Sequence, residues 1–207
     1  MSNTKTWAKS LGIATTLNVP PSAEYSRPCA YTAQDIAIRA VLLQGVVAVA
    51  YGVEAQPIIE WFQTQKIWDL ATPKERAFFG RKRHTKAERI QFQWQQEAEW
   101  TLLWMIGRVK SLGLPTKCCD TRRLVDDIVP ALGDDLQDFI VKSKLRLPGE
   151  LLAEDDRTYD LWCHALAAQR NKESLPIDLN LGVLRERRYA FEWIDGQQEW
   201  DKVTCDA

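Results

Sequence analysis

Apolar residues return along most of the chain at three- and four-residue intervals, and nowhere do they alternate over the length of a strand. That is the pattern of amphipathic helices, and its punctuation predicts eight of them. Thr32 opens the first, with Asp35 three residues on in a variant of the capping box, and the helix runs to about Tyr51. Val46-Val47-Ala48-Val49 within it would suit a strand, but no flanking strand exists to pair with it. A second helix follows Pro57 and stops before Asp69. Thr72-Pro73-Lys74-Glu75 combines a cap, a proline at the first helical position and a glutamate at the third, and the short helix it opens closes at Gly80. Thr85-Lys86-Ala87-Glu88 is another capping box, starting the longest predicted helix, to about Lys110, before Gly113 and Pro115. Asp120 or Thr121 caps a helix to near Pro130, and Asp134 and Asp135 precede a short one around Phe139. Pro148 opens a helix to Arg170, and Asn180 caps the last, Leu181 to Ile194, ended by Gly196.

These elements predict an all-α, single-domain bundle over residues 32–207, preceded by an irregular segment, 1–31, that holds Pro20-Pro21 and Pro28. Trp200 and Val203 are large apolar groups in a polar C-terminus, so the tail is expected to dock on the helices. A length of 207 residues with 45% apolar and 27% charged residues fits one globular domain. The most apolar run, Ile36 to Val53, is broken by Arg39, Gln44 and Gly45, which favours a buried core helix over a membrane span. The first residues lack the apolar stretch of a signal peptide, and five cysteines without paired spacing argue for free thiols in a reducing cytosol.

Rotating each long helix by about 100° per residue brings out charges on the buried faces. After Thr85 the apolar stripe is Ile90, Trp94, Ala98, Thr101, Trp104 and Met105, with Glu97 inside it. After Pro148 it is Leu152, Tyr159, Trp162, Cys163 and Leu166, with Asp156 inside it. On the last helix Glu186 and Arg187 flank a stripe of Val183, Ala190, Trp193 and Ile194. A lone buried carboxylate costs several kcal/mol, so these groups are expected to meet one another or a ligand.

Other chemistry is sparse. No phosphate loop, dinucleotide fingerprint or nucleophile elbow occurs, and no cofactor is expected. Adjacent Cys118-Cys119 and Cys163-His164 lack the spacing of metal ligands, so no metal site is expected either. The charge of −1 is unevenly spread: Lys74 to Arg89 carries seven Lys/Arg against two Glu, and Asp126 to Asp138 carries five Asp and no base. With no overall basicity and no interleaved aromatic residues, nucleic acid is not the expected partner.

An ordered set of motifs carries a resemblance. It runs through Ile36-Ala37-Ile38-Arg39-Ala40, Ile67-Trp68-Asp69, Thr72-Pro73-Lys74-Glu75 and Trp94-Gln95-Gln96-Glu97-Ala98. It continues with Leu102-Leu103-Trp104, Cys119-Asp120, Leu145-Arg146, Glu150-Leu151-Leu152, Asp156 with Tyr159, Glu186 to Trp193, and Trp200 to Thr204. In these the chain resembles the bacterial domain-of-unknown-function 4272 family over about residues 10–207. The resemblance implies a cytosolic, bacterial, α-helical protein and no particular activity. Glu97, Arg146, Glu150, Asp156, Glu186 and Arg187 match the family pattern, which implies a shared acid–arginine network to which Tyr159 is adjoined. Arg188 stands where that pattern has His, Asp160 where it has Arg after Tyr, and Cys163 where it has Trp.

Two functional expectations follow. The first is a non-enzymatic cytosolic interaction protein, an adaptor or an immunity-type inhibitor of a toxin, for which Asp126 to Asp138 is a candidate surface against a basic partner. The second is a small-molecule-binding protein or enzyme built around Glu97, Asp156 and Arg187, with Arg146, Glu150, Tyr159 and Glu186 in the same polar cluster.

Overall fold

Helix starts in this protein are written locally, and the computed structural model places them at the expected caps. It describes residues 29–175 and 177–205, together with Ser10 and Gly12. The irregular segment expected for residues 1–31 therefore falls largely outside the described residues. Among these residues there are eight α-helices and no strand. They are α1 (Ala33–Ala50), α2 (Ala55–Thr64), α3 (Pro73–Phe79), α4 (Lys86–Met105), α5 (Thr121–Arg123), α6 (Gln137–Val141), α7 (Pro148–Asn171) and α8 (Leu181–Ile194).

Thr32, Thr72 and Thr85 each form a full capping box with the carboxylate three residues on. Asn180 Oδ1 accepts from the Gly182 and Val183 amides to start α8. Three boundaries differ from expectation. α2 begins at Ala55, two residues before Pro57, because a proline in the first turn gives up an amide that has no helical acceptor. α4 ends at Met105 rather than Lys110. Gly107 takes φ +75°, and the Arg108 and Val109 amides turn back onto the Leu103 carbonyl. As a result α7, not α4, is the longest helix. α5 passes directly into a wide π turn over Leu124–Ile128, an irregularity that sequence periodicity does not register.

The packing order is α1 on α4, α4 on α8 and α8 on α7, with α2, α3 and α6 laid against α1. α1 is long and apolar enough to cross a bilayer by length and composition alone, but two-thirds of it is buried inside the protein. It is the core helix. A Cβ at Gly45 would lie 2.5 Å from Phe62 Cζ, so this glycine lets α2 cross α1 closely. The main core extends from α1 through α4 to Phe191, Trp193 and Ile194 of α8, and a smaller one (Leu161, Trp162, Ala165, Leu184) joins α7 to α8.

The C-terminal tail docks as expected. Trp200 packs edge-on to Tyr189 and Trp193 at 4.9 and 5.3 Å, and the Arg39 guanidinium lies over its ring at 5.1 Å. Arg39 in turn forms a buried ion pair with Glu75, whose second oxygen accepts from the Thr72 amide at 2.8 Å. One carboxylate thus closes the cap of α3 and neutralises the charge inside the α1 apolar run.

Candidate functional site

The residues singled out as one polar cluster separate into three groups. The first joins α4 to α8. Glu97 is fully buried, and its Oε1 accepts from the Cys119 amide at 2.6 Å. Burial pushes its carboxyl above the usual range, opposed by that amide and by the positive charge of Arg187. Arg187 donates to the Leu112 and Gly113 carbonyls at 2.7 and 2.8 Å. Its guanidinium is more weakly basic than usual because it is buried, an effect countered by Glu97 and Glu154. Glu97 Oε2 and Arg187 Nε are buried without a hydrogen-bond partner among the described residues. Glu186, next along α8, is also buried, which pushes its carboxyl up to about 7.

The second group is a helix terminus. Arg146 donates to the Trp104, Val109 and Lys110 carbonyls at 2.7, 2.9 and 3.2 Å. It lies over the Trp104 ring at 4.8 Å and meets Glu150 at 3.4 Å. These contacts satisfy the carbonyls left open where α4 stops, so Arg146 and Glu150 close that end rather than join Glu97. The third group holds α7 to α8. Arg188 pairs with Asp155 at 2.6 Å and with Glu192, and covers the Tyr159 ring at 4.9 Å. Asp156 is only half-buried, so the buried side of α7 is turned away from the stripe drawn through it.

A prominent apolar concavity lies elsewhere, and sequence reasoning did not locate it. It is a cleft of about 550 Å³ with α1 as its floor (Gln44, Gly45, Val47, Ala48), α2 as one wall (Ile58, Trp61) and the segment Thr121–Leu132 as the other. Trp61 Nε1 donates to the Asp134 carbonyl at 2.8 Å, and the Leu136 amide donates to Gln65 Oε1 at 3.1 Å, which fixes the far edge to α2. The near edge is fixed by Gln96, whose Oε1 accepts from both the Tyr51 and Thr121 hydroxyls at 2.9 Å. Under the floor, the Gln44 amide nitrogen, oriented toward Glu99, lies 2.6 Å from its Oε1. Glu99 is completely buried and its carboxyl titrates well above the ordinary range for that reason.

The lining is almost wholly apolar. Tyr51, Val53, Val125 and Leu132, four of the nine large apolar side chains exposed among the described residues, gather around it at 53%, 48%, 53% and 49% exposure. Next to it, an open depression of about 550 Å³ is lined by Asp126, Asp127, Asp134, Asp135 and Asp138. The acidic run noted in the sequence therefore borders the apolar cleft. Residues 120–138 carry six Asp and two Arg. Arg122 pairs with Asp126 at 3.0 Å and Arg123 approaches Asp127 at 3.9 Å, and both pairs are solvent-exposed.

The fold is thus an all-α, single-domain bundle with an apolar cleft edged by carboxylates. The chain belongs to a family described as a domain of unknown function (DUF4272), which matches residues 1–203. No curated protein and no solved structure matches the chain.

Proposed function

We propose that the protein is a non-catalytic, cytosolic binding module whose cleft receives an amphipathic helix from a partner protein, with lysines or arginines beside its apolar anchors. The observation that carries this reading is the contiguity of the 550 Å³ apolar cleft with the Asp-lined depression. A concavity of this size and polarity takes apolar anchor side chains at helical spacing. Exposed clusters of large apolar groups rimmed by charge mark interaction sites on soluble proteins. The carboxylates would select basic partners and speed encounter, while burial of the anchors would supply affinity. An adaptor and an immunity-type inhibitor covering a basic toxin surface are both specific forms of this function.

The test is fluorescence anisotropy with labelled amphipathic helices of about 18 residues, one of Leu and Lys and one of Leu and Glu. The Leu/Lys helix should bind saturably, and Val125→Asp or Leu132→Asp should weaken it about tenfold or more. Raising salt from ~50 to ~300 mM should weaken it further, because the rim charges are exposed. Equal binding of the two helices, or indifference to both substitutions, would refute the reading.

A further inference from the structure

A second cavity, of about 190 Å³, lies where the loop after α4 crosses α7 and α8. Its volume corresponds to about six waters, enough for a ligand of roughly that many non-hydrogen atoms. Arg187, 4% exposed, forms part of the wall. A guanidinium carries five N–H donors, and the two hydrogen bonds to the Leu112 and Gly113 carbonyls leave three. Among the described residues no salt bridge within 4 Å reaches it, and its buried charge is tempered only at longer range, by Glu97 and Glu154.

The rest of the wall narrows the chemistry. Arg157 also lines the cavity and pairs with Glu154 at 3.1 Å. The Thr158 hydroxyl is occupied by the Glu154 carbonyl at 2.8 Å. Counted over the lining side chains alone, two arginines and one glutamate leave one positive charge, which Glu97, outside the lining, tempers at Arg187. Pro115, Leu161 and Leu184 supply an apolar side. A single anionic charge matches that balance, and planar carboxylate geometry matches a guanidinium fork. A phosphate dianion would overcompensate the charge and leave the apolar side unused.

We propose that this cavity binds a small monocarboxylate with a short aliphatic chain, its carboxylate facing the Arg187 guanidinium and its chain against Leu161 and Leu184. The proposal is independent of the cleft and of the partner assigned to it. The competing reading is that Arg187 only pins the Leu112–Gly113 loop to α8, and it predicts no response to carboxylates.

The experiment is titration of the full-length, isotope-labelled chain with butyrate, butyramide and inorganic phosphate at matched ionic strength, followed by amide chemical shifts. Butyrate should shift the amides of residues 111–114 and 154–158 saturably, with a Kd in the millimolar range, on the order expected for so few atoms. Butyramide and phosphate should not. Two charge variants leave Arg187 in place: Glu154→Gln should tighten butyrate binding several-fold, and Arg157→Gln should weaken it several-fold. Should Arg157→Gln fail to fold, Glu154→Gln decides alone. The proposal is overturned if butyrate produces no saturable shift up to ~50 mM, well above the millimolar Kd expected. It is also overturned if the amide or phosphate acts equally, or if Glu154→Gln leaves the Kd unchanged.

Discussion

Replacing Glu186 by Gln should stabilise the protein at alkaline pH and leave it unchanged in acid. Glu186 is buried on α8, and burial raises its carboxyl from 4.5 to about 7. Below pH 4.5 the group is protonated whether the chain is folded or not, and it costs nothing. Between 4.5 and about 7 the unfolded chain loses the proton while the folded chain keeps it, so stability falls as pH rises. Above about 7 the full penalty is present. The gap corresponds to about 3 kcal/mol, since one pH unit is worth ~1.4 kcal/mol. Glutamine keeps the volume and removes the titration. At pH 8 the variant should melt about 6–12 °C higher than the parent, at roughly 2–4 °C per kcal/mol for a chain of this size. At pH 4 the two should coincide. Glu97 and Glu99, also raised by burial, give the parent and the variant the same direction of pH dependence. The difference between the two curves therefore reports Glu186 together with its repulsion of Glu97, which acts in the same direction. The assay is calorimetric or circular-dichroism melting from pH 4 to 8. A difference that does not grow with pH, or a variant less stable at pH 8, would refute the argument that this carboxyl is held in an unfavourable site.

Arg39→Met should cost about 3–5 kcal/mol in urea denaturation by leaving Glu75 buried without its cation, and adding Glu75→Gln should recover much of that loss. Ending the chain at Glu199 removes Trp200 and Val203 from their sites beside Tyr189 and Trp193, and should lower the melting temperature by several degrees, since a buried Trp contributes about 2–3 kcal/mol. Alkylation without reductant should modify five cysteines in the denatured chain. In the native protein the exposed Cys118 should react before Cys119, whose thiolate is disfavoured by burial and by the Glu97 charge. A mass spectrum showing fewer than five adducts, or Cys119 reacting first, contradicts this.

How far the structure could be read from the sequence depended on the distance over which each feature is encoded. The starts of α1, α3, α4 and α8 were legible because each cap acts within three residues. The end of α4 was not, since it rests on a left-handed Gly107 and on a side chain from Arg146, about forty residues downstream, that satisfies the freed carbonyls. Glu97, Glu186 and Arg187 were found by the period of one buried stripe, and all three are buried. Glu99 escaped because α4 is buried on every side from Gln96 to Met105, where a single-stripe description no longer applies. Glu75 was visible only as a cap, because its second role needs Arg39 from another helix. The cleft has no local signature at all. Its walls come from residues 44–61 and 121–132, and only the fold brings them together.

The buried polar residues of α4 explain why the candidate cluster and the two concavities lie apart and yet depend on each other. The chain between α4 and α6 forms walls of both, Gly113, Leu114 and Pro115 at the small cavity and Thr121, Val125 and Val129 at the cleft. It contains little regular structure, so its position must be set by specific bonds. Arg187 holds its start at Leu112 and Gly113, and the Asn180 amide holds Pro115 at 2.7 Å. Glu97 holds Cys119, and Gln96, the preceding residue on α4, holds Thr121. Successive residues of one helix thus anchor the segment that lines both sites, and Gln96 also holds Tyr51 on the opposite side of the cleft. Glu97 is therefore a scaffold residue: removing it would unpair a loop amide and displace walls that it does not itself form. The deep burial that raises its carboxyl serves the same purpose, because a hydrogen bond to an irregular segment is most decisive where water cannot replace it.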